Sequence, residues 1–543
     1  MTTASEAAPK AAAGAATLVL FTLASGQFLM TLDSSVMNVS IATVAKDVGT
    51  TVTGIQGAIT AYTLVMASLM ITGAKIGALI GRKRAFAVGC LIYGAGSFTT
   101  AISPSLPVLL FGWSLLEGIG AALILPAIVA LVAGNFPKER RPAAYGLVAA
   151  AGAVAVAVGP LIGGFCTTYF SWRWVFAGEV VVVLVILALT RRIADAPVEE
   201  RPSLDLVGTL LSAAGLGLLV FGVLRSSEWG WFQPKPDGPS WAGFSPTIWL
   251  ILMGIFVLRI FSRWEVRRVG MGKEPLVRPG FLRNRQLSGG LLMFFFQFLV
   301  QAGVFFVVPL FLSVCLGLSA LATGARLLPL SVTLLVAAIG IPRFLPNVSP
   351  RLIVRIGLFS LLAGTVVLMA GLDVDAGPEV VFVPMLLLGL GIGALASQLG
   401  SVTVSAVPDE DSPEVGGVQN TMTNLGASLG TALAGSVMIA AVAASFLTNI
   451  QQNPAIPAEV KSQAQVELTG GVPFISDADL EQALDQAGVD QQTSEAALGD
   501  YQEARIDGLK DGLAILALLA LIAQFFVQRI PTSQPGRAPA ATS

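Results

Sequence analysis

Fourteen apolar stretches recur along this chain, each long enough to cross a bilayer as a helix, which takes about 20 residues for ~30 Å of hydrocarbon. They fall near 16–43, 54–79, 84–103, 106–134, 143–168, 173–190, 205–226, 246–264, 286–315, 319–341, 352–372, 379–406, 415–447 and 508–529. The polar residues gather between them, and the loops differ in charge. Those after even-numbered stretches (81–84, 137–141, 190–202, 263–285 and 343–355) hold most of the Lys and Arg. Loops after odd-numbered stretches, such as 372–379, are poor in both. Basic loops stay in the cytoplasm, so the pattern predicts both termini inside and a multi-pass protein of the plasma membrane. The acidic loop 408–415 also falls inside, but acidic residues contribute little to orientation. The predicted fold class is all-α.

Composition agrees: 54% of the 543 residues are hydrophobic and 12% charged, against about 25% charged in soluble domains. The formal net charge of −1 offers no basic field for nucleic acid. There is no His, and the three cysteines stand far apart, so neither a metal site nor another cofactor is expected. No Walker-type loop or catalytic cluster is visible. An enzyme is therefore not expected, and any work must draw on a gradient. The N-terminal segment lacks a cleavable signal pattern. Segment 448–507 is polar and predicts two or three short helices outside the membrane, one capped at Ser476 or Asp477 and stopped at Gly488. It reads as a lid or spacer.

Several motifs carry a resemblance. "LDSSVMNVS" (32–40) lies in span 1, "GAKIGALIGRKRAF" (73–86) closes span 2, and "WSLLEGIGAALILPA" (113–127) lies in span 4. "AGAVAVAVGPLIGG" (151–164) fills span 5, and "SWRWVF" (171–176) opens span 6. In this order and spacing, with fourteen spans, the set resembles the major facilitator superfamily, more narrowly its fourteen-helix drug:proton antiporters. The resemblance implies two six-helix bundles, 16–190 and 286–529, around a two-helix insert, 205–264, with tails 1–15 and 530–543. It also implies rocking of the halves about a midplane site. Gly152, Gly159, Pro160, Gly163 and Gly164 match the antiporter motif, a bend and a small-residue face. Gly81, Arg82 and Lys83 match the inner loop. The chain departs from the pattern at Ala78, where the family carries Asp, and at Ser114 and Glu117, where it carries Arg and Gln.

The candidate chemistry lies in acids within apolar runs. A charge at mid-membrane costs about 2.5–3.5 kcal/mol on insertion scales, which makes it a functional candidate. Asp33 is about 10 residues from the far end of span 1, ~15 Å deep, and Glu117 about 11 residues into span 4, ~17 Å deep. Asp33 is read as a proton or cation site facing a cavity; the alternative is a structural acid that caps or hydrogen-bonds neighbouring helices, for example through Asn38 or Ser34. Glu179, about 6 residues into span 6 and ~9 Å deep, is expected to be shallower and to rank below the other two. Polar groups on helices that the resemblance places around the cavity are Gln27, Asn38, Gln297, Gln301, Gln398, Asn420 and Asn424. Phe298 and the other aromatics of 294–306 would form an apolar wall suited to amphipathic ligands. Arg326 either reaches outward to water or faces the cavity. The reading is a monomeric proton-driven exporter of amphipathic small molecules. A lipid or glycolipid translocator on the same fold and an uncoupled facilitator stand as alternatives.

Overall fold

The computed structural model of the chain describes residues 4–136, 141–195, 203–235, 238–408, 412–458, 460–461 and 472–533, with side chains from residue 17 onward except at 133, 141–143, 145, 146, 149, 153, 157, 282, 412 and 413. Parts of four expected loops (137–140, 196–202, 409–411 and 462–471) and both extreme ends lie outside the described residues.

Each apolar stretch is helical. The long helices are α1 (Ala4–Asp47), α2 (Val52–Ile80) and α3 (Arg82–Ala101), followed by α4, which runs continuously through Leu106–Leu109, Leu110–Glu117 and Gly118–Asn135. Then come α5 (Arg141–Tyr169), α6 (Arg173–Thr190), α7 (Leu206–Trp229), α8 (Pro246–Gly270), α9 (Arg285–Leu310) and α10 (Ala320–Phe344). The last four are α11 (Pro350–Gly371), α12 (Phe382–Val404), α13 (Ser412–Gln452) and α14 (Gln491–Phe526). Among the described residues 12 are long and apolar enough to cross a membrane, or 13 with the bent α5. The expected count of fourteen is thus not confirmed. The helix left out is α3, 20 residues long but opening with Arg82, Lys83 and Arg84, charges that dilute its apolar run.

Two further boundaries differ from the expectation. The helix α1 already begins at Ala4, where a tail was expected. The last helix starts at Gln491, not near 508, capped by Asp490 accepting from the Thr493 amide. Ser476 caps Asp477–Gln486, and Gly488 turns the chain at φ +71°.

The first bundle is knitted by α1 on α5, α2 and α3 on α4, and α3 on α6; the second by α9 on α13, α10 on α12, and α11 on α12 and α14. They meet along two seams, α2 on α13 and α5 on α10. The α7–α8 pair leans on α2 and α13 through α7. We call the end where α1 begins the near end and the opposite one the far end. At the far end both seams are shut. Gln56 Nε2 donates to the Thr431 and Ala432 carbonyls at 3.1 and 3.3 Å, and Ser428 Oγ to the Thr60 carbonyl. On the other seam a β-carbon at Gly324 would stand 2.1 Å from the Pro160 carbonyl oxygen, so only glycine permits this approach.

Candidate functional site

The three expected acids converge. One carboxylate oxygen each from Asp33, Glu117 and Glu179 lies within 4.8 Å of the others, and all three side chains are buried, Asp33 and Glu117 completely. Asp33 therefore does not face an open cavity; it sits inside the first bundle. Glu179 is a correction too, because it is as deep as its partners. Packing of α6 on α3, with Ser97 donating to Glu179 at 3.1 Å, brings its carboxylate to the other two.

Local structure explains the convergence. Along Leu110–Glu117 the helix α4 widens into π-helical turns, a form that recurs at functional sites. Trp113 and Glu117, four residues apart, share a face there. Trp113 Nε1 donates to both Asp33 oxygens at 2.8 and 2.9 Å, and its ring stacks on Tyr62 at 5.1 Å. Thr100 donates to Glu117 at 3.2 Å and Ser97 to Glu179 at 3.1 Å. At Gly96 a β-carbon would lie 2.6 Å from the Glu117 side chain, so glycine admits the acid between α3 and α4. Ser114, where the resembling family carries Arg, donates to the Ala58 carbonyl at 2.8 Å and ties α4 to α2. Asn38 bonds the Ser34 carbonyl instead of Asp33; the bond from Asp33 to a neighbouring helix runs through Trp113.

The pocket keeps unmet capacity. Glu117 Oε2, Glu179 Oε1 and the Tyr62 and Tyr93 hydroxyls are buried without a hydrogen-bond partner among the described residues, where buried polar groups normally pair. No Lys or Arg among the described residues is ion-paired with the triad. Three ionised carboxylates at this spacing would repel by about 3.5 kcal/mol per pair at an effective dielectric of ~20. Compensation has to come from protons or a bound cation.

The other expected residues scatter more. Gln297, Gln398 and Asn424 are buried within the second bundle, while Gln27, Asn38, Phe298, Gln301 and Asn420 are half-buried. Gln297 and Gln301 each leave a side-chain oxygen unpaired. Asn38 and Phe305 line one small void between α1, α5, α9 and α10, of about 10 Å³. Phe294, Phe296 and Phe306 belong to the core, which removes them from the expected apolar wall. Arg326 is exposed and lines a surface crevice with Leu328, Val332 and Phe382, so it does not face the triad or the seam.

The antiporter-motif glycines pack as a small-residue face. Gly152 abuts Gln27, Gly159 abuts Ser35 and Gly163 abuts Val36, all on α1. Gly164 meets the Ala320 carbonyl across the seam, and α5 bends by 42° just before Gly159 and Pro160. At the near end Gly81 turns the chain at φ +98°, Arg82 donates to the Ala74 carbonyl, and the Lys83 amide donates to Asp195 at 2.9 Å. Asp195 thus supplies a carboxylate that position 78 lacks.

Sequence reasoning missed Tyr62, Tyr93, Trp113, Ser97, Gln56 and Asp195. One signal was available: only five tyrosines occur in the chain, and three of them, Tyr62, Tyr93 and Tyr145, lie in apolar spans of the first bundle.

Paired bundles of long apolar helices, a shut seam and a buried acid cluster without counter-charge define a multi-pass membrane transporter. The fold is shared with known transporters. A bacterial homologue of the human lysosomal transporter Spinster, solved inward-facing and unoccupied, aligns at TM-score 0.61 with 15% identity, over 97% of this chain and 99% of the other. Residues 23–431 match the family model for the Major Facilitator Superfamily, and the chain belongs to that family. Its relatives include the puromycin resistance protein pur8 of Streptomyces alboniger, 32% identical over 80% of this chain and 84% of the relative. Another is the tetracenomycin C resistance and export protein of Streptomyces glaucescens, 29% identical over 79% and 77%. The family and the neighbours point to a transporter rather than an enzyme.

Proposed function

We propose that the chain exports amphipathic small molecules in exchange for protons, by alternating access between its two bundles. The observation that carries this reading is the triad of Asp33, Glu117 and Glu179, three buried carboxylates within 4.8 Å with no ion-paired base. Such a group is costly in a membrane and has hydrogen-bond donors but no basic partner among the described residues, which argues for a working role. Export itself rests on relatives named for resistance and export. Both termini would then lie in the cytoplasm and the far end would face outward. Closure of the far end by Gln56, Gly164 and Gly324 fits one of the two alternating states.

In the cycle, protons taken up by the triad neutralise it in the sealed state. Opening toward the other side wets the site and releases them. Asp33 is the hub, since Trp113 fixes both its oxygens, while Glu117 and Glu179 each keep one oxygen free to share a proton. Substrate would be held between the bundles where α1 meets α9, at the half-buried Asn38, Phe298 and Gln301.

The test is transport in proteoliposomes with puromycin as probe. A proton gradient should drive uphill puromycin movement in wild-type protein. Equal rates with and without the gradient would sink proton coupling, and drive by a sodium gradient instead would assign the triad to that cation.

A further inference from the structure

A second charged site lies at the near end, apart from the acid triad. A crevice of about 650 Å³ is lined by Arg285, Arg351, Arg355 and Arg529, with Gln286 and Gln528 beside them and no acidic residue. None of the four arginines has an ion pair with a described acid. Four guanidinium groups around one hollow repel one another, so the arrangement calls for an anion.

The chain builds this hollow deliberately. Arg351 is spent on the C-terminal turn: its Nε donates to the Ile530 carbonyl at 2.8 Å and its Nη2 to the Gln528 carbonyl at 3.2 Å. The turn also presses onto α9, where a β-carbon at Gly289 would lie 2.6 Å from Arg529 Cβ. Arg529 is steadied over the Phe526 ring at 5.8 Å. The first turns of α9 and α11 open on the same place, at Arg285 and Arg351, and helix N-termini carry partial positive charge.

What surrounds the hollow selects the ligand. Arg355 shares a face of α11 with Leu352, Ile356 and Phe359, and Arg529 continues the face of Leu518, Leu521 and Phe525 from α14. These six apolar side chains are exposed, Phe525 to 72%, and α11 packs on α14. A basic hollow at a helix end, continued by two bare apolar stripes toward mid-membrane, matches a phosphate headgroup with acyl chains beneath it.

We propose that this crevice binds an anionic phospholipid, its phosphate held by Arg285, Arg355 and Arg529 and its chains lying on the α11 and α14 stripes. Four cations favour a lipid with two phosphates over one with a single phosphate. Arg351 is a positioning residue, since its donors are turned to the chain.

The experiment is native mass spectrometry of the purified full chain with phosphatidylglycerol, cardiolipin or phosphatidylcholine, for wild type and R355Q/R529Q. Each arginine near an anionic surface contributes roughly fivefold in affinity, so the double variant should bind cardiolipin about 25-fold more weakly. Phosphatidylcholine should bind weakly and equally to both. Equal retention of phosphatidylcholine and cardiolipin by wild type, or unchanged cardiolipin binding in the variant, would overturn the proposal. Displacement of cardiolipin by millimolar inorganic phosphate would overturn the lipid assignment and make the site one for soluble phosphate. If the double variant does not fold, R355Q alone carries the test, with a fivefold loss expected and no loss overturning it.

Discussion

Removing residues 454–489 and joining the ends with a short Gly/Ser linker looks harmless from the sequence, where 448–507 reads as a spacer. The structure predicts otherwise. Ile456, Val472 and Phe474 are each at least 96% buried, and fully burying side chains of this size stabilises by about 1.5–3 kcal/mol apiece. The deletion therefore forfeits on the order of 5–9 kcal/mol of burial. It also strands two groups on α14. The Tyr501 hydroxyl donates to the Pro473 carbonyl at 2.6 Å and accepts from the Ile475 amide at 2.9 Å. The Arg505 guanidinium, 2% exposed, donates to the Ile475 carbonyl at 2.8 Å and pairs with Asp477. Thermal unfolding of the detergent-purified variant, followed by fluorescence size-exclusion, should show a marked fall in melting temperature, with transport lost alongside. The point variant Tyr501→Phe, which drops only the hydroxyl and leaves the Pro473 carbonyl and the Ile475 amide without this partner, should lose about 1–3 kcal/mol. Wild-type melting temperature and transport in the deletion variant would refute the reasoning.

Gly324→Val should prevent closure of the α5–α10 seam, because the added β-carbon would stand 2.1 Å from a backbone carbonyl; cross-linking of cysteines placed at Thr168 and Leu321 should fall while expression persists. Asp195→Ala should remove the carboxylate at the Lys83 amide and cost about 1 kcal/mol, as lost helix caps do, measured as a small drop in melting temperature. Ser114→Arg, which restores the residue usual in the resembling family, should overpack the α2–α4 contact at a position 3% exposed and lower the yield of monodisperse protein. Trp113→Phe should leave Asp33 without its donor and slow coupled transport more than substrate binding, compared by rate and by equilibrium binding of puromycin.

The spans were legible because a membrane helix must be apolar over its whole length, and that signal needs no partner. Asp33 and Glu117 were legible for the related reason that a lone acid in such a run is expensive. Glu179 was equally visible but ranked too low, since its contact with α3 through Ser97 lies 82 residues away in the chain. Tyr62 and Trp113 were hidden because an aromatic in an apolar run looks like packing until its partner is known. Gln56 and Asp195 were hidden by distance: their contacts lie 375 and 112 residues away in the chain. The basic crevice was invisible for the same reason, being assembled from the starts of α9 and α11 and the end of α14.

The central claim is that Asp33, Glu117 and Glu179 carry the protons exchanged for substrate. Its most direct measurement is the proton flux that accompanies puromycin movement, read with a pH-sensitive dye trapped in proteoliposomes, for wild type and for Asp33→Asn. The account predicts that wild type moves protons opposite to puromycin and that Asp33→Asn still binds puromycin but moves no protons with it. Coupled proton flux at the wild-type ratio in Asp33→Asn would contradict it.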